Sequence, residues 1–176
     1  MKRLSVWSLL ALIFVAQTAR AHDPRTVAKD FSHTLTIEGA GKLTLSYKSL
    51  HYNEQVYAGT KTNERTLANI NRLWHKVGKL DAEFDVVIGG VQIAKGSYDM
   101  GISFDARDNF TLILTSSGKD TTIPLQAAVD GPVVGYLSFD LRPTNDTDSF
   151  EFEGRYGKIR ATAQVKVPYL APHEHK

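Results

Sequence analysis

The side chains in this chain best suited to hold a metal at neutral pH are its six histidines: His22, His33, His51, His75, His173 and His175. Imidazole nitrogen suits Cu(II) and Zn(II). His22 carries a second possibility, because it follows Ala19-Arg20-Ala21, a small-x-small cleavage pattern. Cleavage after Ala21 would leave His22 with a free amine beside its imidazole, a chelating pair that one further imidazole completes as a copper site. His51 and His75 are the candidate partners, with His33 a third if the N-terminal segment folds back; no spacing rule selects among them. The plainer reading is a cleavage junction followed by scattered surface imidazoles. His173-Glu174-His175 is a second possible ligand pair, on a tail that lacks the packing a metal catalyst needs.

The cleavage expectation rests on what precedes His22. Lys2 and Arg3 form a positive start, and the apolar run Leu4 to Val15 is 12 residues long, short of the ~20 that a membrane-spanning helix requires. This is the pattern of an export signal, so the expected product is periplasmic or secreted, with no membrane span after cleavage. Residues 1–21 carry Lys2, Arg3 and Arg20 and no acid. Their removal turns 21 basic against 19 acidic residues into 18 against 19, a formal charge of −1. No basic block remains to neutralise phosphates, which argues against a nucleic-acid partner. Cysteine is absent, so thiol chemistry, disulfides and Cys-ligated zinc are excluded.

Other chemistry finds thin support. There is no Gly-x-Ser-x-Gly elbow and no His-Glu-x-x-His helix, and Gly89-Gly90 lies in a strand context, as a hairpin turn does. The pairs Asp105/Asp108 and Glu151/Glu153 have turn or strand-face spacing, which reads as solvated surface. "DARDNF" and "TNDTD" are oxygen-rich but lack the Gly and closing Glu of a calcium loop. Tyr52 and Tyr57, in "LHYNEQVYAG", and His75 are the candidate ligand-binding residues.

The elements that must position these residues are mostly strands. Leu43, Leu45 and Tyr47 alternate with polar residues, as do Tyr98, Met100, Ile102 and Phe104, then Phe110, Leu112 and Leu114, then Phe150 and Phe152, then Ile159 through Val167. A period of two marks half-buried antiparallel strands. One segment departs from it: Leu67, Ile70, Trp74 and Val77, with Leu73 alongside, recur at helical spacing. Thr62 or Asn63 is the expected N-cap and Gly78 the expected stop. The predicted fold is all-β, an antiparallel β-sandwich with one short amphipathic helix. Residues 22–32 are expected to be an extended segment, 33–170 the sandwich domain and 171–176 a flexible tail.

The order "LTLSYKS", "RLWHKVG", "VVIGGVQIAKGSYDMGI", "FTLILTSSG", "RATAQVKVPY" resembles the DUF2911 family, exported bacterial proteins of unassigned function. The family's glycine pair, apolar residue, polar step and Gly-x-Tyr strand would fall on Gly89-Gly90, Ile93, Lys95, Gly96 and Tyr98. The likeness spans residues 33 to 169. It implies the fold and export. Where the family carries Trp-Arg-x-Gly-Ala-Asn-Glu, this chain has Trp74-His75-Lys76-Val77-Gly78-Lys79-Leu80; if that polar cluster carries an activity, it is altered or lost here. The expected function is a non-enzymatic binding module for a small molecule or protein ligand, without cofactor, the alternative being a copper protein built on His22.

Overall fold

The alternating segments are strands, and every pairing among them is antiparallel. The structure, a computed structural model, describes residues 28–146 and 149–168. Six strands form one sheet: β1 (Lys29–Ile37), β2 (Gly41–Ser49), β3 (Gly78–Ala82), β6 (Gly96–Phe104), β7 (Phe110–Ser116) and β8 (Lys119–Pro124), neighbours in that order. The second sheet runs β5 (Val91–Ile93), β4 (Val86–Ile88), β10 (Ser149–Lys166) and β9 (Gln126–Pro143). Leu43, Leu45, Met100, Ile102, Leu112 and Ile123 of the first sheet share one buried cluster with Val86, Ile88, Phe139, Phe152, Ala161 and Val165 of the second. The protein is the expected all-β sandwich.

The two sheets are joined where β2 runs out. The Tyr52 N–H donates to the Gly135 carbonyl at 2.9 Å, the Leu137 N–H to the Leu50 carbonyl at 2.8 Å, and the Ser49 hydroxyl to the Leu137 carbonyl at 2.9 Å. β1 begins at Lys29, inside the segment expected to precede the sandwich, because strand pairing with β2 organises residues whose exposed side chains carry no alternation. Residues 1–27 and 169–176, including His22, His173 and His175, lie outside the described residues.

Two helices, rather than one, follow β2. α1 (Glu54–Thr60) is capped by Asn53, whose side chain accepts from the Val56 N–H at 3.0 Å. α2 (Glu64–Trp74) is capped by Asn63 in the same way, from Thr66. Cap side chains satisfy N–H groups that a first turn leaves unpaired. α1 lacks an apolar 3–4 repeat, so periodicity could not reveal it. α2 stops at Trp74, before Gly78, because the chain rejoins the sheet at once: the Val77 N–H donates to the Met100 carbonyl at 2.9 Å. Leu73 is 60 % exposed, so the buried face narrows to Leu67, Ile70 and Trp74.

The helix end rests on Gly101. A Cβ there would stand 1.9 Å from the His75 carbonyl oxygen, and backbone offers no rotamer by which to move away. Gly101→Ala should therefore lower stability by at least about 2 kcal/mol, read from the urea midpoint. Gly135→Ala, with no atom within 4 Å of the new Cβ, should leave the midpoint within about 0.5 kcal/mol of wild type; equal midpoints for the two variants would refute this account of helix docking.

Candidate functional site

The structure brings Tyr52 and Tyr57 together and turns the His51 and His75 side chains to other partners. The Tyr52 ring meets Tyr156 edge-on at 4.8 Å and Tyr57 at 6.1 Å. Tyr156 meets Trp74 edge-on at 4.6 Å, and Phe104 packs against both Trp74 and Tyr57. These rings pack against one another. The Tyr57 hydroxyl donates to Asp108 Oδ1, and the Lys61 ammonium binds the same oxygen while lying 4.5 Å from the Tyr57 ring centre. Burial, then the hydrogen bond to Asp108 and its charge, push the Tyr57 phenol far above its ordinary value, so it stays a donor. The arrangement ties α1 to the β6–β7 turn.

That turn is satisfied from within. Asp105 Oδ1 accepts from the N–H groups of Arg107 and Asn109 at 2.8 and 3.0 Å, and Oδ2 from the Asn109 side chain at 2.7 Å. These bonds, led by the one from the Asn109 side chain, hold the Asp105 carboxyl below the usual range. This is ordinary turn chemistry of Asp and Asn.

His75 Nε2 lies 2.8 Å from Asp120 Oδ2, whose other oxygen accepts from Thr115 at 2.6 Å. His51 is exposed and meets Tyr136 edge-on at 5.4 Å. The two histidines thus contact different elements, and among the described residues no group of three or more His, Asp or Glu is gathered as a metal site.

A different constellation is built across β1, β2, β9 and β10. Along β9, Leu137 and Phe139 enter the core, so by alternation Tyr136, Ser138, Asp140 and Arg142 take the other face. On β10, Arg155 pairs with Ser138, Glu153 with Asp140 and Glu151 with Arg142. Lys29, Phe31 and His33 of β1 and Tyr47 and Ser49 of β2 complete the walls of a groove of about 270 Å³. Tyr47 is its aromatic centre: Phe31 stacks on it at 5.5 Å, His33 at 6.0 Å, and Phe139 meets it edge-on at 5.1 Å. The Lys29 ammonium lies 5.2 Å from the Tyr136 ring centre, and His33 Nδ1 is 3.6 Å from Asp140.

Behind this groove sits Glu153, 2 % exposed, which corrects the expectation of a solvated carboxylate. One of its oxygens takes Arg155 Nε at 2.8 Å and Arg142 at 2.8 Å, and the other takes Arg160 Nε at 2.6 Å. Arg160 also binds Glu151. Arg160 comes back to Glu153 across seven residues because β10 is irregular on both sides of Gly157, where the register slips and φ is +61°. Burial pushes the Glu153 carboxyl up, but hydrogen bonds from Arg160 and Arg155 and the charges of Arg142 and Arg155 outweigh it, and the group lies below its ordinary value of 4.5. A buried carboxylate with this many donors is costly to uncouple, because the guanidinium groups lose their counter-charge together. The local sequence hid it: the alternation of "SFEFEGR" assigns Glu153 to the solvated face, and only the presence of Arg142, Arg155 and Arg160 hinted at partners. No protein-family model, curated protein or solved structure matches the chain.

Because the native Glu153 carboxyl titrates below 4.5, it contributes stability above the unfolded value, and that stability is lost as pH falls through the lower native value. Glu153→Gln should cost about 3 kcal/mol at pH 7 and flatten the fall in stability below pH 4.5, both measured by urea unfolding. Parallel pH profiles for the variant and wild type would show that Glu153 does not carry this dependence.

Proposed function

We propose that this chain is an exported, non-enzymatic binding module of the DUF2911 type, and that it holds a small ligand in the groove between β1–β2 and β9–β10. The export half of the reading rests on the pre-sequence of Lys2, Arg3, the apolar run and Ala19-Arg20-Ala21. The observation that carries the binding half is the convergence, in one concave place, of aromatic faces from Phe31, Tyr47 and Tyr136 with polar groups from Lys29, Ser138, Asp140 and Arg142. Small-ligand sites combine an apolar lining with a few fixed polar groups in this way.

The groove is preferred over the Tyr52, Tyr57 and His75 face on packing grounds. Tyr52 and Tyr57 are engaged with each other, Tyr156 and Asp108, and His75 is turned to Asp120. In the groove, by contrast, Phe31 is 41 % exposed on a stack whose lower member, Tyr47, is buried. What favours binding over turnover is that the enclosed carboxylate, Glu153, has its oxygens occupied by three guanidinium groups, which serves shape rather than proton transfer.

A fragment screen read by amide chemical shifts of the mature, isotope-labelled chain tests this. Fragments that bind should move the amides of residues 29–33 and 136–142. Shifts confined to residues 52–57 and 74–76, or no saturable binder at all, would move the site elsewhere or remove it.

A further inference from the structure

We infer that the ligand of this groove is a small organic anion with a flat face, a carboxylate attached to an aromatic ring being the simplest member of the class. The inference rests on the groove reading above and adds the chemistry of what fills it.

The groove is lined by three cationic side chains, Lys29, Arg142 and Arg155, against two carboxylates, Asp140 and Glu153. Glu153 is turned inward and its oxygens are taken. Asp140 accepts from the Leu141 N–H at 2.9 Å and from Arg142 Nε at 3.3 Å, beside the His33 ring. Both carboxylates thus already accept from protein donors, Glu153 from three guanidinium groups. Lys29 and Arg142 retain capacity. Arg142 donates through Nε to Asp140 and through one terminal nitrogen to Glu153, and a guanidinium has five N–H groups in a fixed fork. Its side chain is 47 % exposed.

Lys29 is the clearest case. Among the described residues it has no carboxylate partner, and its ammonium is held over the Tyr136 ring. A cavity whose uncommitted polar groups are donors recognises an acceptor, and a charged acceptor most strongly. The flat face follows from the other wall, where Phe31 and His33 flank Tyr47 in a near-parallel stack, with interplanar angles of 16° and 6°. An aromatic ring laid on such a stack gains offset contact in addition to burial.

The test is isothermal titration of the mature chain with 4-hydroxybenzoate and with its neutral isostere 4-hydroxybenzamide, at low ionic strength. Wild type should bind the carboxylate saturably at one site and the amide about ten-fold more weakly. Lys29→Gln should weaken the carboxylate by a similar factor and leave the amide unchanged. Lys48→Gln is the control, since Lys48 sits on neighbouring β2 and pairs with Asp30 at 3.2 Å, and it should bind as wild type does. Equal affinity for carboxylate and amide, with amide shifts in residues 29–33 and 136–142, would overturn the anion inference and leave the groove reading standing. Equal loss in Lys29→Gln and Lys48→Gln would overturn it as a general effect of charge. Binding of neither probe overturns it too, and the fragment screen then decides whether the groove binds anything.

Discussion

The irregularity of β10 at Gly157 is the constraint on which three parts of this structure depend. A Cβ at Gly157 would stand 2.4 Å from the Tyr52 ring, and φ there is +61°, so both space and backbone demand a residue without a side chain. The ring that occupies the space belongs to the segment by which β2 crosses to β9. One contact thus connects the aromatic cluster beneath the helices, the joint between the sheets, and the bend that returns Arg160 to Glu153. A change at this point would be felt in all three.

Energetically the protein divides its interior into two kinds of material. Most of the core is aliphatic and aromatic, drawn from both sheets, and its burial drives folding without help from disulfides. The Glu153 network is the exception. Burying a carboxylate against three part-exposed guanidinium groups gains little net stability even when it is well paired. Its contribution is to geometry, since the guanidinium planes are locked relative to β9 and β10 and so define one wall of the groove. Among the described residues no buried side-chain polar atom lacks a partner, the condition under which such a network is sustainable.

The groove lies where the two sheets leave edges. β1 ends the six-stranded sheet and β9 the four-stranded one, and backbone hydrogen bonds link the two sheets near Leu50–Tyr52. Exposed edges invite unwanted pairing, and charged side chains blunt them. Lys29, Asp140 and Arg142 stand on those edges. The same residues that discourage edge pairing are thus placed to meet a small charged molecule, beside an aromatic stack supplied by the adjoining faces of β1 and β2.

The residues by themselves determined β2, β6, β7 and much of β10, the hairpin at Gly89-Gly90, α2 with a cap at Thr62 or Asn63, and the all-β class. Those features follow from periodicity and capping, which act between neighbours along the chain. Sequence also singled out Tyr52 and Tyr57 as a pair worth attention, and they do meet, though in mutual packing. Tertiary structure alone decided the rest. Glu153 looks solvated by alternation, because nothing local reveals that a bend four residues later returns Arg160 to it while β9 supplies Arg142. The groove likewise joins residues more than a hundred positions apart, Lys29 with Tyr136 and His33 with Asp140. Such contacts are set by how two sheets stack and where a strand turns, and these are properties of the assembled fold rather than of any segment.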